Sequence, residues 1–293
     1  MIRITPQHRA VLSDFIRDYA GILLSRISPR GLDEKICRHA RELGLATMDE
    51  YLDLLTSPIG SHLRDDLMSR ITIGESFFFR NPGQFRYLAN TFLPALVAEK
   101  QRQGVDTVRI WSAACATGEE AYSLAYIADW IRRKAGMTQI EITATDINRR
   151  LLDQACAGEY GPRSFRRQTF EIRDEFEFSL PAGLDENAVF RVGEGIRRLV
   201  SFQVRNLKDL GGLKCHAGSD IIMCRNVLIY FDEEFRQVLV RTFHGLLNAG
   251  GMLFLGETES LPPMPGVFEL VHCDGAYGYR KIFAGEQERR HER

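Results

Sequence analysis

Residues 108–125 read VRIWSAACATGEEAYSLA, and the passage changes character halfway along. VRIWSA is a short apolar run of strand type, Ser112 through Thr117 are small, and Glu119 opens an amphipathic stretch that continues to Arg133. A strand that enters a tight turn and then a helix is the first unit of a wound α/β sheet, whose ligand sits beyond the carboxyl ends of the strands. The turn lacks the three spaced glycines that admit a pyrophosphate, and it lacks the P-loop lysine. Small side chains let a ligand approach the backbone there, while two adjacent carboxylates argue against phosphate. A plain tight connection, with Glu119 and Glu120 exposed and stabilising the helix dipole, fits the same residues.

Working outward, EITATD (141–146), VSFQVRN (200–206), DIIMCRN (220–226) and MLFLGET (252–258) read as further buried parallel strands. Amphipathic stretches at Arg149 to Ala157 and Glu233 to Leu247 supply intervening helices, so the pattern predicts a doubly wound, Rossmann-like α/β sheet. Asp146 ends the second strand, where an acidic side chain can accept both hydroxyls of a ribose. A ribose-bearing ligand without pyrophosphate, with cationic character near Glu119 and Glu120, suggests S-adenosylmethionine. Between Gly158 and Arg198 regularity fails, and FEIRDEFEF (170–178) partly alternates, predicting a small antiparallel excursion at about 160–199.

Upstream, Val11, Phe15, Ile16 and Tyr19 recur at helical steps, and Leu32, Ile36, Ala40 and Leu43 share one side of a second helix that Gly44 ends. Arg30, Arg38 and Arg41 fall roughly opposite. Helices at Met48 to Leu55 and Ser61 to Ile71 complete a small bundle. The expected organisation is a helical domain over 1–80, a sheet domain over 81–284 containing the excursion, and a polar tail over 285–293.

Thirty-eight Lys and Arg against 39 Asp and Glu leave a formal charge of -1 in 293 residues, without the global basicity expected of many nucleic-acid binders. No stretch approaches the roughly 20 apolar residues that cross a bilayer, and MIRITPQHRA lacks the apolar core of a secretion signal, which places the chain in the cytoplasm with no membrane insertion. The six cysteines and seven histidines show no metal-ligand spacing, so no metal is expected and the thiols are taken as free and buried.

In ITIGESFFFRN (71–81), RIWSAACATGEEAYSLA (109–125), TATDINRRLL (143–152), VSFQVRNL (200–207) and DIIMCRNVLIYFD (220–232), the chain resembles the CheR family of chemotaxis receptor glutamate methyltransferases. YAGILLSRISPRGLDEKICRHARELG (19–44) resembles that family's N-terminal helical domain, so the likeness runs from about residue 10 to 283. It implies transfer of a methyl group from S-adenosylmethionine to glutamate carboxylates on the cytoplasmic helical hairpin of a chemoreceptor, leaving S-adenosylhomocysteine. It also implies a cofactor pocket at Gly74, Ser76, Arg80, Glu120, Asp146, Asn206, Leu207, Arg225 and Asn226, with Arg80 and Tyr230 near the transferable methyl. Gly74 stands where many members have Asn, and Ala121 replaces a frequent Pro.

The Arg30, Arg38 and Arg41 face suits an acidic coiled-coil surface, although a solvated helix side reads the same way. An ion pair at the bundle-to-sheet junction is the plain alternative for Arg80, and packing beneath the sheet edge is that for Tyr230. Phe77, Phe78 and Phe79 read as core rather than as an adenine contact. No compact glycine-rich loop favours tethering of a receptor peptide to the excursion, and a monomer is the default. Two other readings stay open: a methyltransferase acting on RNA or a small molecule, and a non-catalytic cofactor-binding scaffold.

Overall fold

The chain begins with helices whose ends are written into the sequence. Helix α1 (Pro6–Ala20) is capped by the Thr5 hydroxyl, which accepts from the His8 N–H, and is closed by Gly21 at φ 74°. Helix α2 (Leu32–Glu42) is followed by α3 (Met48–Thr56), capped reciprocally by Thr47 and Glu50, and by α4 (Ser61–Ile71). The computed structural model describes residues 2–27, 31–135, 139–166, 169–172, 176–179, 188–261, 264 and 266–282. The buried stripe of α1 is Leu12, Ile16 and Ala20: Ile16 is as expected, Phe15 and Tyr19 are half-buried beside it, and Val11 is exposed, its place taken by Leu12. Leu43 is exposed as well, because α2 stops at Glu42 and the chain turns away through Gly44 at φ 73°.

Helices α5 (Pro82–Tyr87) and α6 (Leu93–Arg102), joined through a π-type turn, lead to β1 (Thr107–Ala113). Then come α7 (Glu119–Ala135), β2 (Gln139–Asp146) and α8 (Arg149–Ala157). The excursion follows as two short antiparallel ladders: β3 (Glu159–Tyr160) with a later strand β6 (Phe190–Arg191), and β4 (Thr169–Ile172) with β5 (Phe176–Ser179). After a single turn, α9 (Glu194–Arg197), the chain completes the sheet with β7 (Val200–Val204), β8 (Ser219–Cys224), α10 (Glu233–Leu246), β9 (Leu247–Phe254), β10 (Phe268–Cys273) and β11 (Ala276–Lys281).

The seven-stranded sheet runs β10-β11-β9-β8-β1-β2-β7, with β9, β8, β1, β2 and β7 parallel and the β10–β11 hairpin antiparallel. The expected five parallel strands are all present; the sheet as a whole is mixed rather than parallel, because the hairpin turns back on β9. Alternate residues of each strand serve opposite cores. Trp111, Ile222, Cys224 and Leu253 pack under α10 and the N-terminal helices, whereas Ile110, Ile221, Met223 and Phe254 pack under α5, α6 and α7. Phe78 and Phe79 belong to the second core, with Phe79 stacked on Phe170 at 4.0 Å between ring centroids and Phe78 on Phe178 at 5.5 Å. Burial on this scale pins the segment before Arg80 to the sheet, since truncating one such ring costs about 3–5 kcal/mol.

Candidate functional site

Helices α7 and α10 lie on opposite faces of the sheet and leave a crevice over the carboxyl ends of β1, β2 and β8, the switch point of a wound sheet. The turn after β1 is built from left-handed backbone. Ala114, Ala116 and Gly118 have φ of 62°, 50° and 90°, the first two unusual for residues carrying a Cβ. At Gly118 glycine is required twice over, since an added Cβ would stand 2.7 Å from Ala155 Cβ. Asp146 holds the turn open: its Oδ2 accepts from the Ala116 N–H and its Oδ1 from the Asn148 N–H, both at 2.9 Å. Burial pushes its pKa up, opposed by these backbone donors.

The cleft is walled by Ala114, Ala116, Asp146, Asn206, Leu207, Arg225, Asn226 and Tyr230, together with residues of the N-terminal region. Six of the expected positions therefore meet in one space. Asn206 spends its side chain on structure: Nδ2 donates to the Tyr19 carbonyl at 2.6 Å and Oδ1 accepts from the Lys208 N–H at 2.9 Å, leaving the backbone beside Leu207 to face the cleft. Asn226 sits at φ 58°, and its Oδ1 is buried without a hydrogen-bond partner. Burial raises the Tyr230 phenol, so it is a neutral donor at physiological pH.

Gly74, Ser76, Arg80 and Glu120 do not line this cleft. Gly74 lies against α8, where a Cβ would stand 2.4 Å from Leu151 Cδ1. Ser76 is half-buried on the same segment. Glu120 is taken up internally, its Oε1 accepting from Ser112 Oγ at 2.6 Å and its Oε2 from Arg225 Nη1 at 3.1 Å. Arg225 in turn donates through Nη2 to the Arg80 carbonyl. A chain of bonds thus joins β1, α7, the end of β8 and the loop bearing Arg80. The Arg80 side chain folds over Phe77, 5.5 Å from the ring centroid, and donates to the Glu75 carbonyl at 3.1 Å. Its charge is near enough to Tyr230 to oppose the effect of burial there. Ser123 completes the support: its Oγ accepts from the Phe79 N–H at 2.9 Å and donates to the Glu119 carbonyl at 2.6 Å.

Glu119 is buried, not solvent-facing, with its carboxylate accepting from Thr117 Oγ1 at 2.6 Å and Ser164 Oγ at 2.8 Å. The plain reading of an exposed acidic pair is therefore corrected, since both carboxylates are bonded inside the fold. All six cysteines are free, but Cys156 and Cys215 are exposed, against the expectation of buried thiols.

A further wall comes from the start of the chain. Ala20, Ile22 and Ile27 line the cleft, Ile22 forms a β-bridge to Phe231, and the Leu23 N–H donates to the Tyr230 carbonyl at 2.8 Å. Arg26 Nη1 donates to the carbonyls of Ile229 at 3.0 Å and Phe231 at 2.6 Å. Of the basic face on α2, Arg30 lies outside the described residues, Arg38 is exposed and pairs with Glu34 at 2.8 Å, and Arg41 is exposed. The 285–293 tail also lies outside the described residues.

The donor set suits a ligand with a diol and a cation. Asp146 is a carboxylate acceptor lining the cleft, Asn226 Oδ1 is an unused acceptor, and the alanine turn leaves the backbone bare. Residues 74–277 match the family described as CheR methyltransferase, SAM binding domain. The chain is 33% identical over 240 residues to a probable chemotaxis protein methyltransferase of Rhizobium etli, covering 82% of this chain and 87% of the relative. Against the chemotaxis protein methyltransferase of Vibrio parahaemolyticus the identity is 32% over 281 residues, covering 95% and 98% of the two chains. Against chemotaxis protein methyltransferase 1 of Pseudomonas aeruginosa it is 30% over 272 residues, covering 91% and 94%.

Proposed function

We propose a function from one premise: the chain belongs to the CheR methyltransferase family, whose members use S-adenosylmethionine. Its acceptor is the glutamate side chain of a chemoreceptor's cytoplasmic helical hairpin, and its product there is a methyl ester. The observation that carries the reading is the meeting of Asp146, Asn206, Leu207, Arg225, Asn226 and Tyr230 in one cleft over the carboxyl ends of the sheet.

When bound, the cofactor supplies a methyl group on a positively charged sulfur. The residues then divide the work. Asp146 accepts from the ribose hydroxyls, the Asn206 and Leu207 backbone frames the adenine, and Asn226 Oδ1 accepts from the cationic amino-acid end. Glu120 and Arg225 act on the same end from beneath, with Gly74 and Ser76 on the flanking segment. Arg80, which in this structure lies over Phe77 and outside the cleft lining, swings to fork onto the incoming carboxylate, and the neutral Tyr230 hydroxyl donates beside it.

A glutamate with an ordinary pKa near 4.3 is ionised at neutral pH and needs no base. Acceleration then comes from alignment and exclusion of water, which can lower a barrier by roughly 7–11 kcal/mol. Residues 1–80, with the basic positions Arg30, Arg38 and Arg41, form the receptor-facing domain, of which Arg38 and Arg41 are exposed, and 81–284 carry the transfer.

Incubation with tritiated cofactor and receptor-bearing membranes tests this. Label should appear on the receptor and leave in mild alkali. Alkali-stable label would point to another acceptor class, and absence of transfer with retained cofactor binding would point to a scaffold. Arg80→Ala should lower kcat on the order of ten- to a hundredfold, the weight of one charge-assisted bond, while S-adenosylhomocysteine affinity stays near the wild-type value.

A further inference from the structure

One buried carboxylate, bonded to the loop that follows β8, has no part in the chemistry above. Glu259 follows β9 and is 9% exposed. Its Oε2 accepts from the backbone N–H groups of Asn226 at 2.6 Å and Gly256 at 2.8 Å, and its Oε1 accepts from the N–H of Ile229 at 3.2 Å. Three backbone donors from two loops thus converge on one side chain. The first loop leaves β8 and carries Arg225, Asn226 and Tyr230.

We propose that Glu259 is a positioning residue for methyl transfer, stapling the β8 loop so that Asn226 and Tyr230 face the cleft. This deepens the function proposed above and rests on it. Three features support the assignment. Asn226 is left-handed at φ 58°, a conformation that persists where surrounding bonds over-determine it, and Glu259 grips that residue's own N–H. Gly256 permits the two loops to touch, since a Cβ there would stand 2.6 Å from Asn226 Nδ2 and 2.8 Å from Glu259 Oε2. The turn at Leu228–Tyr230 is held on its carbonyl side by Leu23 and Arg26, and Glu259 holds its N–H side at Ile229.

The bonding pattern separates two variants. Glu259→Gln keeps one acceptor oxygen, enough for Asn226 and Gly256, and turns an amide NH2 toward the Ile229 N–H. Glu259→Ala removes all three acceptors. Glu259→Gln should lower kcat about tenfold while the cofactor KM moves less than about threefold, and in a Tyr230→Phe background the same change should cost less than about twofold. In Glu259→Ala, hydrogen exchange at the Asn226 and Ile229 amides should accelerate at least about tenfold, with Ile222 and Met223 in β8 unaltered.

Unchanged exchange at both amides would overturn the proposal. So would an undiminished effect of Glu259→Gln in the Tyr230→Phe background, or a parallel loss in kcat and cofactor binding. If Glu259→Ala does not fold, exchange and kinetics of Glu259→Gln at Ile229 decide. A wild-type protein that transfers no methyl group would sink the proposed function, while exchange would still decide what Glu259 holds.

Discussion

Replacing Asp146 by Asn alters no atom's position and reverses the chemistry of one. The carboxylate accepts from Ala116 on one oxygen and from Asn148 on the other, so whichever way the amide turns, one of those N–H groups faces an NH2. Losing a hydrogen bond to a charged acceptor costs about 1.5–3 kcal/mol. Part of that is returned, because burial already disfavours the ionised acid and the amide carries no charge. The net loss of stability is therefore small, on the order of 1 kcal/mol, or roughly 2–4 °C in Tm for a chain near this size.

Ligand affinity has no such offset. A diol facing an anion loses the charge-assisted part of its bonding, about 1.5–3 kcal/mol, which is roughly a ten- to 150-fold rise in Kd. Calorimetric titration with S-adenosylhomocysteine, beside a melting curve, measures both numbers. The pH dependence carries a sign: because burial raises the Asp146 pKa, affinity in the wild type should fall as pH is lowered into that range, and Asp146→Asn should lose the dependence. A folded variant that binds within twofold of wild type would refute the placement of the ribose at Asp146.

Ser123→Ala strands the Phe79 N–H in the core, and should cost about 1–3 kcal/mol in chemical denaturation and lower kcat by disturbing Arg80; unchanged stability would mean the N–H finds another partner. His39 is buried and neutral, with Nε2–H donating to Asp66 at 2.8 Å and Nδ1 accepting from the Tyr51 hydroxyl at 3.0 Å, and burial sets its pKa below the ordinary value. The unfolded chain therefore takes up the proton first, so the stability this residue contributes is complete above about pH 6.5 and drains as pH falls below it. Tm should decline more steeply from pH 7.5 to about 5.5 in wild type than in His39→Gln, and equal slopes would remove His39 as the cause.

The parallel strands were legible because each is an apolar run ended by a polar or small residue, and Asp146, Arg225 and Asn226 were legible because they stand at those ends, whereas Asn206, Leu207 and Tyr230 came from the family resemblance. β10 and β11 were hidden. FELVHC and AYGYRK mix half-buried and exposed residues on an outer hairpin, so neither shows a clean alternation. The exchange of Val11 for Leu12 on the buried face of α1 has a similar origin, since both are apolar and only packing against the neighbouring helices chooses between them. Glu259 and Ser123 were missed for a different reason. Glu259 stands just past the MLFLGET run with no motif of its own, and Ser123 is one small residue in a helix; their worth comes from backbone N–H groups brought to them by distant parts of the chain. Glu120 and Arg225 were each identified, but not that they bond to one another.

The bridge from Ile22 to Phe231, and the bond from Asn206 to the Tyr19 carbonyl, make the opening segment a roof for the chamber. A fragment starting at residue 74 would keep the alanine turn and the acid at the end of β2, and would leave the chamber open along one side. Grafting this transferase onto a different docking module must accordingly carry residues 19–27 with it.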